Sequence, residues 1–246
     1  MIKGLGAFKS NLEGIRGFSS TGYTKRDIAV PSSVDYRKYM LPVRDQGNKP
    51  TCAAHTFSSI MEFQYMRTDA DYRYNSPMYI YNLREGDGDG MYGVDLERIG
   101  TNYGICSEID FPFINSNWGV KPDEETIEKG RSCKIKDMVV LSSIEDVKKF
   151  LTFYGPCYIS FPVFNGSDRF WNQRDGEDFV GGHAVTMVGF DKTGFLLRNS
   201  WGKSWGDEGH TTLPYDDFGK QWEILGFINN KPYGPLIEDQ KCCNIV

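Results

Sequence analysis

From Thr51 onward the apolar positions recur with a helical period: Phe57, Ile60, Met61 and Gln64/Tyr65 fall near i, i+3, i+4, i+7 and i+8. This spacing predicts a helix with Thr51 as its cap and Cys52 in its first turn. A second helix is expected from Ser76-Pro77, a capping residue followed by proline at the first helical position. A third is expected from about Val94 to Tyr103, ending at Gly104. Ser143-Ile144-Glu145-Asp146 opens a further helix in capping-box style; its buried face is Val147, Phe150, Leu151 and Tyr154, and Gly155-Pro156 stops it. Beyond it the period changes to that of strands, over Cys157–Val163, 184–190, 194–199 and roughly 222–228. Helices first and strands later indicate an α+β protein in two halves.

Composition narrows the partners. A chain of 246 residues with 39% hydrophobic content can bury a sizeable core. The net charge of −5 and pI near 5.3 leave no broad basic footprint, so no nucleic-acid partner is expected. No apolar run approaches the roughly 20 residues that span a bilayer. The first ten residues lack the apolar stretch of a secretory signal, and Cys52, Cys106, Cys133 and Cys157 are scattered singly. Reduced thiols and a cytoplasmic or otherwise intracellular location, including a virion or host cell, are therefore the expectation. A monomer is expected.

The chemistry concentrates in two distant stretches. One is Gln46-Gly47-Asn48-Lys49-Pro50-Thr51-Cys52; the other combines Gly182-His183-Ala184-Val185 with Arg198-Asn199-Ser200-Trp201-Gly202. A thiol at neutral pH is mostly protonated, and a helix N-terminus with a nearby imidazolium activates it by stabilising the thiolate. Cys52 has the first condition, and His183 supplies the second if the two halves fold together. Asn199 can fix the imidazole's orientation, and Gln46 can aim an amide N–H at a developing oxyanion beside the Cys52 backbone N–H. Against these stand plainer readings: Cys52 as a small buried thiol, and His55 or His210 as the base in place of His183. Glu85-Gly86-Asp87-Gly88-Asp89-Gly90 suggests calcium, but it lacks the glutamate at the twelfth position of such loops and reads as a flexible turn. No metal or organic cofactor is expected.

Taken together these residues resemble the papain/cathepsin family of cysteine peptidases, nearer its short-propeptide microbial or viral branch. Cys52 precedes His183 by 131 residues and Asn199 by 147, and the family's separations are roughly 130–150. Val34-Asp35-Tyr36-Arg37 is similar to the family's mature N-terminal strand, Pro42 through Gly47 to its oxyanion-glutamine stretch, and Leu197 through Gly209 to its asparagine block. The resemblance implies a papain-like α+β fold, with a helical half and an antiparallel β-barrel half flanking an active-site cleft. The corresponding segments are 1–30, an N-terminal extension and candidate short propeptide; 31–135, the helical half with the nucleophile; 136–240, the β-barrel half with His183 and Asn199; and 241–246, a tail. It further implies that Trp201 shields the His183–Asn199 pair, and that Gly88, Gly90, Gly182 and Trp201 bind substrate, the glycines by admitting a peptide backbone. Departures are the missing half-cystine before Cys52 and the missing tryptophan after it, with Ala53 there instead.

The implied function is that of a cysteine endopeptidase acting on peptide or protein substrates, with residues 1–30 blocking the groove until removed. Alternatives are a catalytically silent papain-fold binding or virion-structural protein, and a deubiquitinase or acyltransferase using the same triad. Cys243 near the C-terminus resembles a prenylation box, and membrane attachment is expected only if it is lipidated.

Overall fold

The computed structural model describes residues 2–24, 29–69, 72–86 and 88–229; Cys243 and the tail lie outside them. Five helices lie among these residues: α1 (Cys52–Asp69), α2 (Pro77–Asn82), α3 (Asp95–Asn102), α4 (Glu124–Gly130) and α5 (Ile144–Phe153). The strands are β1 (Ala7–Phe8), β2 (Val34–Asp35), β3 (Met91–Tyr92), β4 (Asp137–Val140), β5 (Cys157–Val163), β6 (Gly181–Phe190), β7 (Gly194–Arg198), β8 (His210–Pro214) and β9 (Glu223–Ile228). The α+β class and the order of helices before strands follow the sequence pattern.

Local chemistry explains the helix ends. Ser76 accepts from the Tyr79 N–H ahead of Pro77, and Ser143 accepts from the Asp146 N–H at the start of α5. Gly155, at φ +102°, turns the chain after α5 in a conformation few other residues adopt. Thr51 departs from expectation. Its hydroxyl is buried without a partner, and only its carbonyl engages α1, accepting from the His55 N–H at 2.9 Å. The short helix α4, capped by Asp123, escaped the sequence reading because its mostly exposed residues carry no apolar stripe.

The large sheet runs β4-β9-β5-β6-β7-β8, with antiparallel neighbours throughout and β2 pairing the far end of β6. Alternation sorts its side chains between two cores. Cys157, Ile159, Phe161 and Val163 of β5 pack with Val147, Phe150 and Leu151 of α5. Tyr158 instead joins Ala53, Phe57 and Met61 of α1. The expected closed β-barrel is therefore corrected to an open sheet. α5 and its aromatic side chains fill the space between Val139 of β4 and Leu213 of β8, and these edge strands do not pair.

Residues 2–24 do not stand ahead of the body. Their first part lies along β3, where β1 pairs in parallel, Ala7 opposite Met91. Their second part inserts Phe18 into the core, fully buried. The four described cysteines are free and buried. No helix among the described residues is long and apolar enough to cross a membrane.

Candidate active site

Cys52 opens α1, and His183 lies on β6, the strand that packs along that helix. Cys52 is buried in one cluster with Ala184, the residue after His183, and with Ala7 of the N-terminal segment. The His183 Nε2–H donates to Asn199 Oδ1 at 2.7 Å. That oxygen also accepts from the Ser200 N–H at 2.7 Å, which sets which end of the carboxamide faces the ring. Because an amide oxygen can only accept, Nε2 carries the proton in the neutral ring and Nδ1 keeps its lone pair. Nδ1 is buried and has no hydrogen-bond partner.

An aromatic box encloses this pair. Trp201 stacks on His183 with centroids 4.4 Å apart, Phe170 meets the ring edge-on at 5.4 Å, and Trp205 packs against Trp201. Water is excluded from the His183–Asn199 bond, which strengthens it. The same burial disfavours charge: it moves the His183 pKa down to about 4 and pushes the Cys52 thiol up to about 11. In this state the pair is neutral thiol and neutral imidazole.

The cover is the chain's own segment 3–10. Gly6 donates its N–H to the Gly182 carbonyl at 3.1 Å and accepts from the Met91 N–H at 2.8 Å, bridging both walls of the groove. Gln46 is held from behind by Ser200, whose Oγ donates to Oε1 at 2.5 Å. Its Nε2 donates forward to the Gly4 carbonyl at 2.7 Å and sideways to the Lys49 carbonyl at 2.8 Å. The group assigned to an oxyanion thus already holds a carbonyl oxygen. Lys3 Nζ reaches Asp45 and the Trp201 carbonyl, and Ser10 binds the buried Glu223 through its N–H and hydroxyl, both at 3.1 Å.

Close approach demands glycine here. A Cβ on Gly6 would lie 2.1 Å from the Pro50 carbonyl oxygen, and one on Gly182 2.0 Å from that of Ala7. Gly90 and Gly182 lie against the backbone of Gly6 and Ala7, whereas Gly88 meets only the Phe8 ring. The rival histidines sit elsewhere. His55 is buried, with Nδ1 on the Thr51 carbonyl at 3.0 Å and its ring against Phe113. His210 is tied to the Glu208 carbonyl on β8.

Sequence reading missed Phe170, which follows β5 in a segment without periodicity, and the bracing role of Ser200. It also missed Gly4 and Gly6 as the positions that enter the groove, although the Gly-x-Gly spacing was visible.

The structure superimposes on xylellain, a cysteine protease from Xylella fastidiosa, with TM-score 0.78 over 92% of this chain and 96% of that one, at 20% identity. It also matches proCathepsin B S9 from Trypanosoma congolense, with TM-score 0.74 over 93% and 86% at 19% identity. In sequence it is 29% identical to an uncharacterized peptidase C1-like protein of Acanthamoeba polyphaga mimivirus, over 82% of this chain and 74% of that protein. It is 26% identical to cathepsin K of Mus musculus over 75% of this chain. The chain spans 60% of that cathepsin's length. The model of the papain family cysteine proteases matches residues 30–221, and the chain belongs to that family.

Proposed function

We propose that this chain is a cysteine endopeptidase held inactive by segment 3–10. The observation that carries the reading is the His183–Asn199 hydrogen bond, which leaves Nδ1 without a partner on the strand that packs along the helix bearing Cys52. On that reading His183 takes the thiol proton, and the thiolate attacks the substrate carbonyl while Gln46 and the Cys52 N–H bind the oxyanion. The C–N bond breaks as the imidazolium protonates the leaving amine. Water, deprotonated by His183, then hydrolyses the thioester and restores the thiol.

Inhibition follows from the same geometry. With segment 3–10 in place the chain's own backbone occupies the groove, Gly4 on Gln46 and Gly6 on Gly182, and burial keeps the thiol protonated. Withdrawal of the segment hydrates the groove and moves both ionisations back toward the thiolate–imidazolium pair. Papain-family membership, the free buried thiols and the glycine-lined groove support the peptide-hydrolysing reading over a silent binding module.

The test is labelling by a peptidyl epoxide of the full chain, a form lacking residues 2–10, and the Cys52→Ala form of that truncation. Rapid labelling and peptide turnover in the truncated chain alone are expected. A truncated chain that labels no faster than the full one would end the proposal.

A further inference from the structure

Residues 2–24 divide into two parts with different physics. The first part, through Ser10, is held by main-chain hydrogen bonds at Gly4 and Gly6, by Lys3 on Asp45 and the Trp201 carbonyl, and by the Ser10–Glu223 contact, with the small Ala7 its only buried hydrophobic side chain. The second part is built into the core. Phe18 is fully buried and packs edge-on against Phe150 and Tyr154 at 5.6 and 5.9 Å. The Val140 N–H donates to the Arg16 carbonyl at 2.9 Å, Gly17 bridges to Val140, and Arg16 pairs with Asp137. Tyr154 donates its hydroxyl to the Tyr23 carbonyl at 2.8 Å.

Between them lies a turn. Asn11, Glu13 and Gly14 are exposed, and Gly14 sits at φ +80° with open space where a side chain would project. Exposed loop tips of small and polar residues are the preferred sites of proteolytic nicking.

We propose that residues 11–14 are a processing site, and that the enzyme it releases keeps residues 15–24 as a permanent part of its fold. This rests on the reading of segment 3–10 as the groove's plug. Water adds across one peptide bond of the turn, leaving a carboxylate on the departing plug and an ammonium on the retained chain. While Gly4 and Gly6 occupy the groove the molecule's own site is covered, so the cut is made in trans by another protease molecule. The family-like body from about Val30 is then not the start of the active enzyme. Phe18 stays because its removal would empty a closed aromatic pocket, whereas the plug leaves behind a groove built to take a backbone.

Limited digestion of the full-length Cys52→Ala protein with a trace of papain, followed by intact mass, tests the site. The first large product should begin between residues 12 and 15. A first product beginning beyond Phe18 would overturn the proposal. In a second arm, residues 11–14 of the otherwise unaltered chain are exchanged for a site-specific protease's recognition sequence, and the protein is cut there. Alkylation of Cys52 by iodoacetamide should then rise about tenfold or more, a readout that needs no catalysis. An unreactive Cys52 after complete cutting would overturn the proposal, whereas a reactive Cys52 without peptide turnover would support it and count against the peptidase reading. A chain beginning at Val30 should melt roughly 6–20 °C below one beginning at Ile15. Equal melting would show that the second part is dispensable and overturn its retention.

Discussion

The carbonyl oxygen of Gly4 lies 2.7 Å from the side-chain nitrogen of Gln46, the donor assigned to a reaction's oxyanion. One interaction therefore serves two ends: it fixes the donor's direction and fastens the segment that covers the nucleophile.

Gln46→Glu should separate these ends. The variant keeps an oxygen for Ser200 but replaces the donor facing Gly4 with an acceptor. In the enzyme freed of residues 2–10, kcat should fall by about 10²–10³. In the uncut chain, Cys52 alkylation should instead rise. A loss of turnover without faster alkylation would show that the Gly4 contact does not hold the plug.

Gly6→Val should open the groove without any cut. A side chain there collides with the Pro50 carbonyl, and overpacking of this kind costs about 1–3 kcal/mol. Cys52 alkylation in the full chain should increase by about tenfold or more. The same change at Gly14, which faces open space but sits at positive φ, should leave the thiol protected. Iodoacetamide kinetics followed by mass decide the matter.

Asn199→Ala should act through His183. The imidazole loses the acceptor that sets its proton on Nε2 and its lone pair on Nδ1. In the freed enzyme, kcat should drop by roughly 10²-fold with KM little changed. A change confined to KM would show that Asn199 contacts substrate and does not orient the ring.

His55 makes folding sensitive to acid. Its pKa is moved down to about 3, first by burial and then by the Arg44 charge, against the smaller opposing pull of the Thr51 carbonyl and Asp45. Unfolded, the ring titrates near its ordinary 6.5, so below that pH the unfolded chain takes up a proton the folded chain refuses. The stability is present above about pH 6.5 and is lost as the pH falls toward 3, with a slope approaching about 1.4 kcal/mol per unit. Urea unfolding of wild type and His55→Gln at pH 7, 6 and 5 isolates this contribution, since His183 titrates in both. A stability difference independent of pH would refute it.

Much of the site was legible beforehand because its chemistry constrains residue type, order and spacing together. His183, Asn199 and Trp201 fell where expected in relation to one another, and β5 was bounded correctly because alternation between two cores leaves a period of two. Ser143 and Gly155 marked the ends of α5 through local hydrogen bonding and backbone freedom. The Thr51 cap failed: its hydroxyl is buried without a partner, and only its carbonyl engages α1. The papain-like α+β class held, but the sheet does not close, because its edge strands β4 and β8 do not pair and residues from distant positions, Phe18 and Phe150, share its core.

Local rules in the chain were sufficient for most helix starts, the strand periods and the choice of candidate reacting groups, since each depends on neighbours within a few residues or on the functional group itself. Folding alone decided that Gly6 would bridge Gly182 and Met91, that Ser10 would settle on Glu223, and that the thiol and imidazole would be buried as neutral partners. Those contacts join main-chain atoms far apart in sequence, and main-chain hydrogen bonds ask almost nothing of side-chain identity, so they leave no pattern to read.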